Sequence, residues 1–240
     1  MKQPKQLIYI LPNLFTAGGL FSGMMSLIMS GSGKYEYAAW LILLALIFDG
    51  LDGRVARLTN TSSKFGMEFD SLADIVSFGV APAMLLYHYC GMEYGRFGMV
   101  VSGLYVVFGA IRLARFNVTT SETEPSVFIG VPIPTAAVFI SILILLYEKY
   151  MIDLYVPLLI SALFVAVLMV SNIRYPSFKK IDLQKANFIK VLVALVVAAS
   201  LIFIYPVESL SLIIGLYLLF GVGRATLYFF KQLKKGKKRT

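Results

Sequence analysis

Four aspartates are the residues of this chain whose type and spacing suggest chemistry, because they lie within or beside strongly apolar sequence. Asp49 and Asp52 come near the end of one apolar stretch, and Asp70 and Asp74 come near the start of the next. Spacings of three and four residues put each pair on one face of a helix. The connecting segment, LTNTSSKFG, is polar and ends in glycine. We therefore expect an antiparallel helix pair whose four carboxylates meet near the helix ends.

Ionised aspartates in this setting need a partner that cancels their charge. Each one costs roughly 2.5–3.5 kcal/mol at mid-bilayer, and four close together also repel one another. Divalent cations would remove both problems, and an all-oxygen ligand set suits Mg²⁺ or Mn²⁺ rather than a metal held by thiolates or histidines. Two such ions a few ångströms apart can clamp the attacking and leaving oxygens of a phosphoryl displacement. We expect Asp49, Asp52, Asp70 and Asp74 to hold two divalent cations.

The small residues interleaved with the acids favour a bulky ligand beside the metals. Gly53 and Ala56 share the helix face of Asp49 and Asp52, so a large group can approach the backbone there. Arg57 follows directly, and a guanidinium binds phosphate in bidentate fashion. This combination favours a nucleotide.

The elements that must position these residues are membrane helices. Of the 240 residues, 58% are hydrophobic and the mean hydropathy is +0.79, which is too apolar for an ordinary soluble domain. Near-continuous apolar runs favour helices over barrel strands. We predict an all-α, polytopic integral membrane protein, a single domain over 1–240. Its eight spans are predicted at 9–30, 37–58, 68–89, 97–116, 130–147, 154–171, 188–204 and 208–230.

Charge predicts the orientation of these spans. With both termini in the cytoplasm, all but three of the 22 basic residues fall on the cytoplasmic side, the exceptions being Lys34, Arg96 and Lys149. The net charge of +9 gathers at span ends and in a basic tail at 231–240, which argues against a nucleic-acid partner and for contact with anionic lipid. Gly19 and Gly23 form a small-residue pair that predicts close helix packing.

The acidic segment resembles a known family. Residues 49–74 read D-x2-D-G-x2-A-R-x8-G-x3-D-x3-D, and this pattern is similar to that of the CDP-alcohol phosphotransferases. The resemblance implies that Asp49, Asp52 and Asp70 bind metal, and that Asp74 is both the base that accepts the alcohol proton and a ligand of the second metal. It also implies a homodimer in the cell membrane with its active site open to the cytoplasm. Contacts to the CDP moiety are expected from Asn13, Thr16, Gly53, Ala56, Arg57 and Gly66.

Three further segments concern the acceptor alcohol. LPNLFTAGGLFSG, IRLARFNV and FIGVPIPTAA resemble the serine-accepting members of the family, which implies transfer of a phosphatidyl group from CDP-diacylglycerol to L-serine with release of CMP. Arg112, Arg115 and Asn117 lie together at a cytoplasmic helix end, where they could bind the serine carboxylate. The two arginines could equally anchor the topology or bind lipid phosphate. Glycerol 3-phosphate or an inositol phosphate would also need basic residues, so these acceptors stay open.

A cation transporter is the alternative from another functional class, because intramembrane acids also line ion paths. Such a protein is expected to carry acids on several distant helices or in repeated halves. The spans beyond Asp153 contain almost none. The sequence therefore favours the enzyme.

Overall fold

In the part of the chain that the structure describes, the regular secondary structure is helical apart from one short ribbon. A computed structural model describes residues 5–61, 63–119, 127–176 and 188–236. The elements in chain order are α1 (Lys5–Gly31), α2 (Tyr35–Leu58), α3 (Lys64–Asp74), α4 (Ala81–Tyr89), α5 (Arg96–Thr119), β1 (Val127–Ile129), α6 (Ile133–Lys149), α7 (Val156–Val170), β2 (Arg174–Pro176), α8 (Phe188–Ile204) and α9 (Pro206–Gly236). A π-helical segment, Ile75–Val80, joins α3 to α4, and a 3₁₀ turn, Gly91–Tyr94, precedes α5. The antiparallel ribbon pairs Phe128 with Tyr175.

Each of the eight predicted spans coincides with a helix, the third being the continuous run from α3 to α4. Within the described residues, four helical runs are long and apolar enough to cross a membrane: Ile10–Gly31, Lys64–Tyr89, Arg96–Thr119 and Pro206–Arg224. α6 and α8 have 17 residues each, and α7 has 15. These helices fit a membrane protein, while the number of crossings stays a prediction.

The helix α1 packs along α2 and the π segment at close range. A Cβ atom added at Gly23 would lie 2.6 Å from Ser77 Oγ and 2.7 Å from Ser77 Cα, so no larger residue fits. The Ser77 hydroxyl donates to the Gly19 carbonyl at 3.1 Å. The predicted packing role of Gly19 and Gly23 is therefore confirmed.

The π segment Ile75–Val80 follows Asp74 directly and is fixed from outside. Tyr105, fully buried on α5, donates its hydroxyl to the Phe78 carbonyl at 3.2 Å. With the Ser77 contact to Gly19, this ties the segment to both α1 and α5. Such one-turn π insertions are frequent next to functional sites. Here the insertion positions the end of the helix that carries Asp74.

The ribbon and the ends of α5 and α7 meet around one side chain, Arg115. Its Nη2 donates to the carbonyls of Ile129 (3.0 Å), Met169 (3.1 Å) and Ser171 (3.2 Å). Its Nη1 donates to Val170 O at 3.1 Å and to the Asn172 side chain at 3.3 Å. These acceptors include carbonyls that the end of α7 leaves without helical partners. Arg115 thus holds β1 against the end of α7.

The helix α9 packs against α6 and is attached near its start. Glu208 Oε1 accepts hydrogen bonds from Lys149 Nζ and from Tyr150 Oη, the latter at 2.7 Å. α9 continues to Gly236, so residues 231–236 of the predicted tail belong to a helix, and 237–240 lie outside the described residues.

The core of the described residues lies around α6, which buries nine of its residues. Cys90, the single cysteine of the chain, is fully buried after α4, and its thiol lies 3.5 Å from the Leu86 carbonyl.

Candidate active site

The aspartates converge as the spacing predicted. One carboxylate oxygen each from Asp49, Asp70 and Asp74 lie within 4.8 Å of one another. Asp52, only 6% exposed, lies on the same face of α2 one turn after Asp49. All four acids line one cavity. The π segment that follows Asp74 is attached to α1 by the hydrogen bond from Ser77 to Gly19.

A third helix, α1, also forms part of the site, although the sequence predicted only the pair α2 and α3. α1 packs against both α2 and α3. Thr16, buried on α1, donates its hydroxyl to Asp52 Oδ2 at 2.7 Å and to Pro12 O at 3.2 Å. The acids are thus held by three helices rather than two.

A small cavity of about 10 Å³ lies among the acids. All four aspartates line it, together with Thr16, Gly19, Ala45, Ala73, Ser77 and Phe78. A volume of this size is about one water-sized sphere. Ligand oxygens of one octahedral Mg²⁺ lie about 3 Å apart when adjacent and about 4 Å apart when opposite, and the three carboxylate oxygens lie within 4.8 Å of one another, near enough to share an ion after small side-chain movements. The donor set therefore fits a hard divalent cation, and this cluster could bind one.

A larger cavity of about 190 Å³ adjoins the acids. It shares Thr16, Asp52 and Asp70 with the small cavity. Its lining is Pro12, Asn13, Thr16, Asp52, Gly53, Ala56, Arg57, Thr61, Ser63, Gly66, Met67 and Asp70. All six residues expected to contact CDP are in this lining, although their roles stay predictions.

Two glycines keep this cavity open. A Cβ added at Gly53 would lie 3.4 Å from Arg57 Nη1, so the guanidinium folds back beside Gly53. A Cβ added at Gly66 would lie 3.3 Å from Asn13 Oδ1 and 3.2 Å from Ser63 Oγ. Gly66 N donates to the Ser63 hydroxyl at 3.0 Å, which makes Ser63 the N-cap of α3. Ser63 was missed by the sequence reasoning, although a serine just before a helix is a recognisable capping signal.

The three residues predicted to bind the acceptor, Arg112, Arg115 and Asn117, contact different parts of the molecule. Arg112 is 6% exposed, lies with its Cζ 5.1 Å from the Phe116 ring centroid, and interacts electrostatically with Asp74. Asn117 Nδ2 donates to Ser71 Oγ at 2.9 Å, beside Asp70. Both Nη atoms of Arg115 donate to the α7 and β1 acceptors. Asn117 thus contacts α3, and Arg112 interacts with Asp74 at the end of α3. Arg115 contacts β1 and the end of α7 instead.

Comparison with known proteins agrees with the geometry. The profile of the CDP-alcohol phosphatidyltransferase family matches residues 9–173. The chain is similar to the CDP-diacylglycerol–serine O-phosphatidyltransferase of Helicobacter pylori, 52% identical over 223 residues covering 90% of this chain and 91% of that protein. It is similar to the archaetidylserine synthase of Methanothermobacter thermautotrophicus, 41% identical over 69% of each chain. The CDP-diacylglycerol–serine O-phosphatidyltransferase of Bacillus subtilis is 34% identical over 71% of this chain and 92% of that protein. The chain therefore belongs to the CDP-alcohol phosphatidyltransferase family.

Proposed function

We propose that this enzyme is a phosphatidylserine synthase, which transfers the phosphatidyl group of CDP-diacylglycerol to L-serine and releases CMP. The observation that carries the proposal is the pair of adjoining cavities. One is lined by all four aspartates, and the other by every residue expected to contact CDP. The names of the similar proteins from Helicobacter and Bacillus support serine as the acceptor.

The larger cavity would take the cytidine diphosphate. Gly53, Ala56 and Gly66 leave room beside the backbone, and Arg57 offers a guanidinium to a phosphate. Thr16 holds Asp52 where the two cavities meet, and a diphosphate in the larger cavity would lie beside this carboxylate. Asn13 is positioned beside Gly66 to contact the nucleotide.

The aspartates would hold two divalent cations, Mg²⁺ or Mn²⁺. When bound, these ions neutralise the diphosphate and stabilise the charge that develops on the leaving phosphate. Asp74 accepts the proton of the serine hydroxyl. The serine oxygen then forms a bond to the phosphorus that carries diacylglycerol. The bond from this phosphorus to the oxygen shared with CMP breaks, and its electron pair leaves with CMP.

Arg112 is the side chain best suited to bind the serine carboxylate. It is buried, charged and close to Asp74. Asn117 is tied to Ser71 and would support the same side of the site. Arg115, by contrast, would act by positioning the ribbon, since its guanidinium donates to five acceptors of the protein.

We also propose how the enzyme lies in the membrane. Eight crossings with both termini in the cytoplasm would open the site to the cytoplasm, where serine is supplied. The distribution of basic residues supports this orientation. We also propose that the enzyme forms the homodimer that the family resemblance implies. Membership of a transferase family argues against a cation transporter.

Release of CMP by the purified full chain tests the proposal. The assay contains CDP-diacylglycerol, Mn²⁺ and one acceptor at a time: L-serine, glycerol 3-phosphate or an inositol phosphate. We expect CMP release with serine far above the rate without acceptor. Faster release with either phosphorylated alcohol than with serine would overturn the acceptor assignment and leave the family assignment intact.

A further inference from the structure

The connection between α2 and α3 supplies two hydroxyl-bearing residues to the larger cavity. The family pattern leaves the positions between Arg57 and Gly66 unspecified. Thr61 and Ser63 nevertheless line this cavity. Thr61 is only 7% exposed, so its hydroxyl must find its partners in the protein or in a bound ligand.

The backbone at the end of α2 holds Thr61 in one place. Asn60 has a φ of 53°, a left-handed conformation that asparagine adopts more readily than most residues. The Thr61 N–H donates to Ala56 O at 3.0 Å, and the Asn60 N–H donates to Arg57 O at 3.4 Å. These two hydrogen bonds form the Schellman motif that ends many helices. Thr61 is thus fixed against the last turn of α2.

Thr59 decides what the Thr61 hydroxyl can offer to a ligand. Thr59 Oγ1 donates its single hydrogen to Val55 O at 2.7 Å. The contact of 2.6 Å between Thr59 Oγ1 and Thr61 Oγ1 must therefore use the hydrogen of Thr61. A hydroxyl has one hydrogen and two lone pairs. Toward the cavity, Thr61 Oγ1 is left as an acceptor only.

The position of Thr61 along the cavity indicates which part of a nucleotide it would meet. The acids Asp52 and Asp70 line both cavities and mark the diphosphate end. Ser63 precedes Asp70 by seven residues, about 10 Å along a helix axis. Thr61 follows the last turn of α2, and Ser63 precedes the first turn of α3. In a nucleotide the base and the diphosphate are at opposite ends, so the base belongs beside these hydroxyls.

We propose that Thr61 determines base specificity by accepting a hydrogen bond from the 4-amino group of cytosine, and that Thr59 is the positioning residue that keeps the Thr61 oxygen an acceptor. This inference rests on the proposed function, because it names the group of CDP-diacylglycerol that Thr61 binds. Cytosine has a donor at position 4, whereas uracil has a carbonyl oxygen there. In a uridine nucleotide the Thr61 oxygen would face another acceptor. A site built to hydrogen-bond one group rejects the analogue that lacks it.

Binding of free nucleoside diphosphates to the full chain tests the role of Thr61. CDP and UDP share the ribose and the diphosphate, so the ratio of their Kd values in the presence of Mn²⁺ isolates the base. Titration calorimetry should show tighter binding of CDP than of UDP by the unmodified enzyme. In Thr61→Val the preference for CDP should fall about 10-fold, because CDP loses an acceptor and UDP loses a repulsive contact.

Thr59→Val tests the positioning role at a residue that is not among those lining the cavity. Val55 O also accepts from the Thr59 N–H at 2.9 Å, so this carbonyl keeps a donor. The hydrogen of Thr61 becomes free to turn toward the carbonyl oxygen of uracil. We expect UDP to bind several-fold more tightly, with the Kd of CDP within about 2-fold of its original value. Thr59→Ser keeps the hydroxyl and should restore the original ratio, whereas a purely structural role for Thr59 would change both Kd values equally.

Equal binding of CDP and UDP by the unmodified enzyme would overturn the inference, as would an unchanged ratio in Thr61→Val. The ribose hydroxyls are the other donors of cytidine, and 2′,3′-dideoxy-CDP lacks both. If Thr61→Val loses the discrimination against this analogue and keeps the discrimination against UDP, Thr61 contacts the ribose and the base assignment is wrong. If Thr61→Val does not fold, the Thr59 variants decide by the same ratio. If the unmodified enzyme binds no CDP, or releases no CMP with serine, the proposed function fails instead.

Discussion

Thr16 on α1 lies 2.7 Å from Asp52 on α2, with its hydroxyl donating to the carboxylate. Both residues line both cavities of the candidate active site. The hydrogen bond therefore fixes Asp52, one of the two acids, with Asp70, that line both the smaller and the larger cavity.

Thr16→Val tests this hydrogen bond with little change in side-chain volume. The variant leaves Asp52 without its donor from α1, and a hydrogen bond to a charged group is worth about 1.5–3 kcal/mol. We expect kcat/KM for CDP-diacylglycerol, measured by CMP release at saturating Mn²⁺, to fall about 10-fold, which corresponds to about 1.4 kcal/mol. Thr16→Ser keeps the hydroxyl and is the control. Equal losses in the two variants would contradict the role of the hydrogen bond.

Gly53→Ala tests the need for space in the larger cavity. The new methyl group would lie 3.4 Å from the Arg57 guanidinium and would narrow the cavity lining. Gly50→Ala is the control on the same helix, because a Cβ there meets nothing within 4 Å. Both changes favour the helix by about 1 kcal/mol. We expect a KM for CDP-diacylglycerol about 10-fold higher in Gly53→Ala only, since one badly placed methyl group in a tight site costs about 1–3 kcal/mol. Similar KM values in both variants would exclude close contact at Gly53.

Asp74→Asn tests the proton acceptor. An amide cannot accept the hydroxyl proton, so turnover should fall at least about 100-fold, the lower end of general-base contributions. Binding of CDP-diacylglycerol should stay measurable by equilibrium titration. Glu68→Gln, an exposed acid on the same helix, is the control and should retain full activity. Near-normal turnover in Asp74→Asn would refute the assignment of the base.

Removal of divalent cations tests the metal site. EDTA should abolish CMP release, and added Mg²⁺ or Mn²⁺ should restore it. Asp49→Asn removes one charged ligand from the three clustered carboxylates, so Mn²⁺ affinity and CDP-diacylglycerol affinity should weaken together. Unchanged Mn²⁺ affinity in this variant, measured by titration calorimetry, would count against Asp49 as a ligand.

Arg115→Lys tests a positioning role rather than a binding role. Lysine keeps the charge but loses the planar fork that reaches both β1 and the end of α7. Carbonyls left without donors cost about 1–3 kcal/mol, and we expect Tm to fall by about 5 °C. Arg96→Lys, an exposed arginine on the same helix, should leave Tm unchanged. A stable Arg115→Lys enzyme with a raised serine KM would instead favour direct acceptor binding.

Local spacing was sufficient to predict the acidic centre. Asp49 with Asp52, and Asp70 with Asp74, are placed by helix periodicity alone, and the connection between α2 and α3 is too short to separate them. The glycines and Ala56 were predictable for the same reason, because their face of α2 is fixed by the acids around them. The structure brings these residues to two adjoining cavities.

Long-range contacts were not predictable from the same pattern. Arg112 and Arg115 are three residues apart at one helix end, yet their surroundings differ because the acceptors of Arg115 are 14 to 57 residues away along the chain. Thr16 and Asp52 are 36 residues apart, and nothing local indicates their hydrogen bond. The π segment after Asp74 likewise interrupts the helical period without a sequence signal that we could identify.

Because Cys90 is buried, the natural chain is suited to cysteine labelling that determines on which side of the membrane each loop lies. Burial, with Glu93 nearby, raises the pKa of this thiol to about 12, so almost no reactive thiolate forms at neutral pH. Maleimide reagents should therefore not react with the unmodified protein, so Cys90 need not be replaced before labelling. A single cysteine introduced at Lys34 or at Lys64, which are both exposed, would then be labelled from one face of the bilayer only. The charge distribution predicts that the two positions are labelled from opposite faces.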